Sequence, residues 1–179
     1  AGQERGQAGP MIIVRPETAA EQDAVADLLR RSYGREGEVQ RLSTLRASTD
    51  FLAPLSLVAD NAGELLGFVL FSKAGIMDGA STVSAVAMGL LAVLPEHRRQ
   101  GIAERLMRHG LERCRSLGHK LVFTVGDPRY FSRLGFRPSA PLGLASESPA
   151  TGGQMLALEL DGKLLASLKG VVRFPPALK

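Results

Sequence analysis

The chain has 179 residues, 45% of them hydrophobic and 22% charged, which suits one domain burying roughly 70% of its unfolded surface. Its net charge of +4 is carried mostly by arginine, several crowded between Arg98 and Arg115, which points to a local anion site more than a general polyanion surface. No Trp and two Tyr leave little for base stacking, and no apolar run approaches the ~20 residues a bilayer needs; neither a nucleic-acid nor a membrane partner is expected.

Residues Ala1 to Pro10, AGQERGQAGP, are polar and glycine-rich, precede Met11, and read as a tag remnant or frayed tail. Residues 11–179 are expected to form a single domain. A lone cysteine, Cys114, and the lack of a leader pattern make a cytoplasmic setting the default. MIIVRP then predicts a short strand, and Thr18 an N-cap for the helix AAEQDAVADLLRRSYG, with Ala24, Val25, Leu28 and Leu29 at helical spacing and Gly34 as its stop. A second helix is expected over about 36–47, with Val39, Leu42 and Leu45 on one side.

LSLVAD, ELLGFVLFSKA and VSAVAMGLLAV, separated by turn residues, predict an antiparallel meander. Gly89 inside the third run suggests a bulge or a close main-chain approach. A helix follows from about Gly101 to Leu117, with Ile102, Leu106, Gly110, Cys114 and Leu117 along one stripe and Gly118 at its end. KLVFTVGD is a short buried strand, so strand, helix and strand make a βαβ unit with a parallel pair. PRYFSRLG reads as a short helix; FRPSA and GQMLALEL are further strands across the breaker-rich SESPATGG, and FPP precludes regular structure near the end.

The junction VLPEHRRQGIAERLM carries the chemistry. A strand that ends just before a glycine and a helix start leaves the first helical N–H groups pointing outward with the positive end of the dipole, an anion site suited to phosphate or pyrophosphate. A Walker loop needs Gly-Lys-Ser/Thr and a dinucleotide fingerprint needs three glycines; neither pattern is present. RRQGIA, Arg98 to Ala103, does satisfy Arg/Gln-x-x-Gly-x-Gly/Ala.

With that segment, with YFSRLGF some thirty residues on, and with the order of elements from Met11 to about Leu160, the chain resembles the GNAT superfamily of acetyl-CoA-dependent N-acetyltransferases. GDPRYFSRLGF and the ending GVVRFPPAL resemble more narrowly a bacterial branch of predicted acetyltransferases of unassigned substrate. The resemblance implies an α/β acyl-CoA N-acyltransferase fold: a mixed, mostly antiparallel sheet, helices on both faces, and a parallel strand pair that splays apart. It implies acetyl-CoA as co-substrate, no metal, and direct attack of an amine on the thioester. The acceptor would be a small-molecule or peptide amine; a homodimer is compatible with it.

Carried over, the resemblance assigns the pyrophosphate to Arg98, Arg99, Gln100, Gly101, Ile102 and Ala103, and the pantetheine arm to the main chain of Leu91, Ala92 and Val93. A main-chain N–H near Leu91 would face the thioester oxygen. Many members place a tyrosine, as proton donor to the thiolate, where this chain has Phe131, which would adjoin the cofactor; either Tyr130 next to it is the substitute acid, or water and main-chain donors assist the thiolate. For the general base Asp127, Glu36, Glu38 and a water chain stay open, although Asp127 also suits an N-cap before Pro128. Two other readings remain, a non-catalytic acetyl-CoA-binding module and, less well supported, a basic nucleic-acid-binding domain. His97, His109 and His119 lack metal-ligand spacing, and Cys114 on the apolar stripe reads as a core residue.

Overall fold

The computed structural model describes residues 11–148 and 153–179. The expected tail and the middle of SESPATGG lie outside those residues. Strand β1 (Ile12–Pro16) leads through a single 3-10 turn into α1 (Gln22–Tyr33). Thr18 precedes that turn, and its N–H donates to Glu21 Oε2 at 2.8 Å, the return half of a capping box. Gly34, with φ 71°, ends α1 as expected. Val25, Leu28 and Leu29 are buried; Ala24 is exposed, because the apolar stripe is narrower than its spacing suggests. Helix α2 (Gly37–Arg46) buries Leu42, Leu45 and, against its charge, Glu38.

The meander forms as read, with longer strands: β2 (Phe51–Asn61), β3 (Glu64–Asp78) and β4 (Ser81–Val93). Helix α3 (Ile102–Ser116) and strand β5 (Leu121–Gly126) complete the βαβ unit. The segment PRYFSRLG splits into one helical turn, α4 (Pro128–Phe131), and a 3-10 turn closed by Gly135 at φ 92°. After β6 (Arg137–Pro138), β7 (Leu144–Ser146) and β8 (Gln154–Glu159), a last strand that the sequence pattern does not predict, β9 (Gly170–Arg173), ends just before FPP, where Phe174 and Pro175 have no regular structure. It pairs with Gly75–Met77 of β3, the edge left open where β2 stops pairing at Ser72.

The sheet order is β1-β2-β3-β4-β5-β8-β6, antiparallel except between β4 and β5, with β9 added on β3 and β7 running parallel beside β9. Helices cover both faces. Helix α3 closes on β3 through small residues: a Cβ at Gly110 would lie 2.2 Å from the Phe71 ring, and one at Gly67 would lie 2.8 Å from Leu106 Cδ1. Ile102, Leu106 and Cys114 are buried along the expected stripe, but Leu117 at the helix exit is 51% exposed.

Candidate active site

Two departures from regular pairing make the site. Against β3, Phe68 pairs with Ala92 and Leu70 with Gly89, so Leu90 and Leu91 together face Val69. This is a bulge, and Leu90 carries it at φ 41°, a left-handed conformation costly for a branched side chain. Gly89 has the other role its position suggested, close approach: a Cβ there would meet Leu178 at 3.2 Å. On the opposite side β4 pairs with β5 only at Val86–Val122 and Ala87–Phe123. Thr124 Oγ1 then donates to the Met88 carbonyl at 2.9 Å, and beyond it the two strands no longer pair. The main chain of Leu90 to Val93 is thereby released from its parallel neighbour.

A cleft of about 670 Å³ lies at this release and includes Tyr33, Leu91, Val93, Arg99, Ala103 and Tyr130 in its walls. Its floor is the start of α3. Gly101 is the N-cap at φ 79°, Arg99 sits at φ 59°, and the first helical bond runs from Arg105 N to Gly101 O. The N–H groups of Ile102, Ala103 and Glu104 therefore have no partner within the helix, and the two left-handed residues curl the approach into a concave nest. No atom lies within 4 Å of a Cβ built on Gly101, so glycine is needed there for its backbone angle.

The expected cofactor residues divide. Leu91, Val93, Arg98, Arg99, Gly101, Ile102 and Ala103 line the cleft. The Arg98 guanidinium, however, turns back on its own fold: Nε donates to Val93 O at 3.3 Å and Nη2 to Ser32 O at 2.7 Å. A carbonyl left over at a strand end is a strong acceptor, and Arg98 is spent bracing it. Ala92 is buried beneath the strand, and Gln100 Nε2 reaches Glu96 O at 3.5 Å. Phe131 is not in the cleft wall. Its ring lies over Gly126, where a Cβ would be 2.2 Å away, and meets Phe136 edge-on at 5.8 Å. Tyr130, 41% exposed, is the member of the pair that faces the cleft. Burial pushes its phenol above the ordinary value, Glu104 adds to the rise, and Arg133 opposes it.

A second cavity, of about 420 Å³, includes Glu38, Arg41, Met88, Leu90, Val125 and Phe174 in its walls. Tyr33, which no motif singled out, borders both spaces and donates its hydroxyl to Leu91 O at 2.8 Å. The base candidates also separate. Asp127 accepts from Arg129 N at 2.9 Å as the N-cap of α4, and the Arg129 hydrogen bonds hold it below the usual carboxylate range. Glu36 is exposed and paired with Arg30. Glu38 is 3% exposed and receives Arg35 at 2.7 Å; burial works against its charge, but Arg35, its own main-chain N–H and Arg41 keep its carboxyl below the ordinary range. Cys114 is buried and pushed up to about 12, the opposite of a nucleophilic thiol. Among the described residues no three His, Cys, Asp or Glu side chains gather as a metal would need, and no helix is long and apolar enough to cross a membrane.

Residues 13–139 match the family model described as an acetyltransferase (GNAT) domain. The chain belongs to the GNAT family. It is thus an acetyl-CoA-dependent acyltransferase. It is 31% identical over 164 residues, 91% of this chain and 96% of the relative, to the uncharacterized N-acetyltransferase YhbS of Escherichia coli K12. A second relative from that strain, the uncharacterized N-acetyltransferase YjhQ, is 30% identical over 116 residues, 65% of this chain and 64% of its own. The crystal structure of E. coli YhbS in complex with CoA superposes with a TM-score of 0.85 at 28% identity, covering 94% of this chain and 92% of that one. A GNAT acetyltransferase from Brucella melitensis in complex with acetyl-CoA gives 0.76 at 22% identity, over 94% and 98%, a likeness of fold. Both E. coli relatives are uncharacterized N-acetyltransferases, in keeping with the narrower branch of acetyltransferases expected from GDPRYFSRLGF and GVVRFPPAL.

Proposed function

We propose that residues 11–179 act as one N-acetyltransferase domain in the cytoplasm, moving the acetyl group of acetyl-CoA to a primary amine by direct attack within a ternary complex. The observation that carries this reading is that both cavities border the Leu90–Leu91 bulge, the cleft at Leu91 and the second cavity at Leu90 with Tyr33 lining both, where the main chain is free of β5. A donor in one cavity and an acceptor in the other need no covalent enzyme intermediate.

The residues present suit the co-substrate. The N–H groups of Ile102, Ala103 and Glu104, with Arg99 and Arg133 in the same walls, are donors matched to a pyrophosphate. The main chain of Leu91 to Val93 would receive the pantetheine amides as an added strand, with Tyr33 sharing or yielding the Leu91 carbonyl and Arg98 and Ser32 sharing the Val93 carbonyl. The Leu91 N–H would stabilise charge growing on the thioester oxygen. Glu38, the carboxylate of the acceptor cavity, is assigned the amine's proton, passing it on to water. As the new C–N bond forms and the C–S bond breaks, Tyr130 is assigned to protonate the departing thiolate.

Titration with acetyl-CoA tests the donor site. Saturable binding is expected, with a gain of about 2.7 kcal/mol in stability at a hundred times Kd, read as a rise in Tm. Ala103→Asp should weaken that binding by at least about tenfold, because a carboxylate then faces the phosphates, while the same charge suits a helix start and spares the fold. Absence of both binding and Tm shift at millimolar acetyl-CoA would overturn the reading. Release of CoA with any amine separates the enzyme from a passive acetyl-CoA-binding module, the alternative that Phe131 at the usual acid position favours.

A further inference from the structure

The acceptor cavity has a charge pattern that selects among amines. Its walls hold three cationic side chains, Arg35, Arg41 and Lys179, against one carboxylate, Glu38. Two of the cations are already engaged: Arg35 with Glu38 at 2.7 Å, and Lys179 with Glu147 at 2.8 Å. Arg41 makes no hydrogen bond or ion pair among the described residues. Its guanidinium nevertheless lies close enough to act on both Glu38 and the Tyr33 hydroxyl. Met88, Leu90, Val125, Phe174 and Leu178 form the apolar remainder of the cavity.

We infer that the acceptor is a small apolar amino acid or related amino-carboxylate: its carboxylate is received by Arg41, its amine lies toward Glu38 and the Leu90–Leu91 bulge, and its side chain rests among Met88, Val125, Phe174 and Leu178. This rests on the acetyltransferase reading above and specifies the substrate class for the same site. An unengaged guanidinium offers paired N–H donors in the geometry of a carboxylate, and Glu38, the carboxylate of the same walls, is hydrogen-bonded to Arg35 instead. With Arg35 paired to Glu38 and Lys179 to Glu147, the one unmatched charge is the Arg41 cation, and a polyamine's further ammonium groups find no free counter-charge. A cavity of about 420 Å³ accommodates a single amino acid with room for the acetyl group entering from the cleft. The reaction balances without another reagent: the neutral amine nitrogen forms the amide bond, the C–S bond breaks, and CoA leaves as the thiol.

The test pairs acids with the amines that lack only the carboxylate: L-phenylalanine with 2-phenylethylamine, L-leucine with 3-methylbutylamine, and spermidine as the polycation. At saturating acetyl-CoA the acid of each pair should exceed its amine by at least about tenfold in kcat/KM. Arg41→Ala should bring the two within about threefold, chiefly by raising KM for the acid, and Arg41→Glu should invert their order. Acetyl-CoA affinity should stay the same in both variants. Better turnover of the carboxylate-free amines or of spermidine overturns the inference, as does an order unmoved by Arg41→Glu. Should none of these amines be acetylated, calorimetric titration of the CoA-loaded protein with N-acetyl-L-phenylalanine and N-(2-phenylethyl)acetamide makes the same comparison. A preference of about tenfold for the acid supports it, and equal or absent binding overturns it. With acetyl-CoA binding intact, such a failure falls on this inference alone; without acetyl-CoA binding, both readings fall.

Discussion

Tyr130 and Phe131 are neighbours on one helical turn, yet they face different surroundings. Successive helical residues project about 100° apart, so only one can lie over Gly126 while the other turns to the cleft. Phe131 takes the place above the glycine, its ring filling the space a Cβ would need. Tyr130 meets it edge-on at 5.1 Å and lines the cleft. With burial pushing the phenol upward it remains protonated at neutral pH, the state a donor needs. Tyr130→Phe is therefore expected to lower kcat roughly 10–100-fold while leaving the acetyl-CoA dissociation constant within about threefold, measured by CoA release and by calorimetry. An unchanged kcat would assign protonation of the thiolate to water. The doubt attached to Phe131 was visible in the residue types alone, because the tyrosine is displaced by one position. Which ring faces the cleft was not, since it depends on contact with Gly126 on another strand. Tyr33 was invisible for a similar reason: nothing local to the end of α1 says that its hydroxyl reaches Leu91 on β4, 58 residues away.

At the scale of elements, periodicity located the three main helices and the meander, because each buries one stripe or face in a continuous core. It failed where an element owes its existence to an open edge. β9 has four residues and little pattern of its own; it forms because β3 continues past the end of β2 and offers unpaired main chain. Of the two roles open to Gly89, the close approach is found there and the bulge lies one residue on. Glycine marks conformational freedom, whereas the strain sits at Leu90, held by pairs on both sides, Leu70–Gly89 and Phe68–Ala92. The contact of α3 with β3 is where a single atom decides the distance between layers. Gly110→Ala would set a methyl 2.2 Å from the Phe71 ring, and overpacking of this kind costs about 1–3 kcal/mol. For a chain of this length each kcal/mol lowers Tm by roughly 2–4 °C, which circular dichroism resolves. Adding Phe71→Leu should recover part of the loss, so that the double variant is more stable than the sum of the two singles. Strict additivity would mean that the helix moves away and the contact does not set its height.

For the whole molecule, ionisable groups define a pH window for stability with two unlike edges. Five carboxyls, on Glu21, Glu38, Glu96, Asp127 and Glu147, are held below their ordinary values in the fold. Glu21 is the extreme, lowered from 4.5 to about 2 by its hydrogen bonds with Arg15 and the Thr18 N–H, in a network that ties β1 to the start of α1 and, through Asp60, to β2. Burial likewise lowers His119 from 6.5. Each of these groups binds fewer protons folded than unfolded, so its stabilisation is present above the ordinary value and is lost as pH falls. The alkaline edge has the opposite sign. Burial raises Cys114 from 9.0 to about 12, so the folded thiol keeps a proton that the unfolded one releases, and stability falls as pH rises from 9 toward 12. Tm should therefore be highest between the His119 and Cys114 limits, 6.5 and 9.0, and decline on either side. Glu21→Gln should make the acid decline shallower between 4.5 and about 2, the window of its own shift. Cys114→Ala should lower Tm at neutral pH by opening a small cavity, yet flatten the alkaline decline, a combination that packing loss alone does not produce. An alkaline slope unchanged in Cys114→Ala would move that edge from the buried thiol to the tyrosines, whose phenols are also raised by burial.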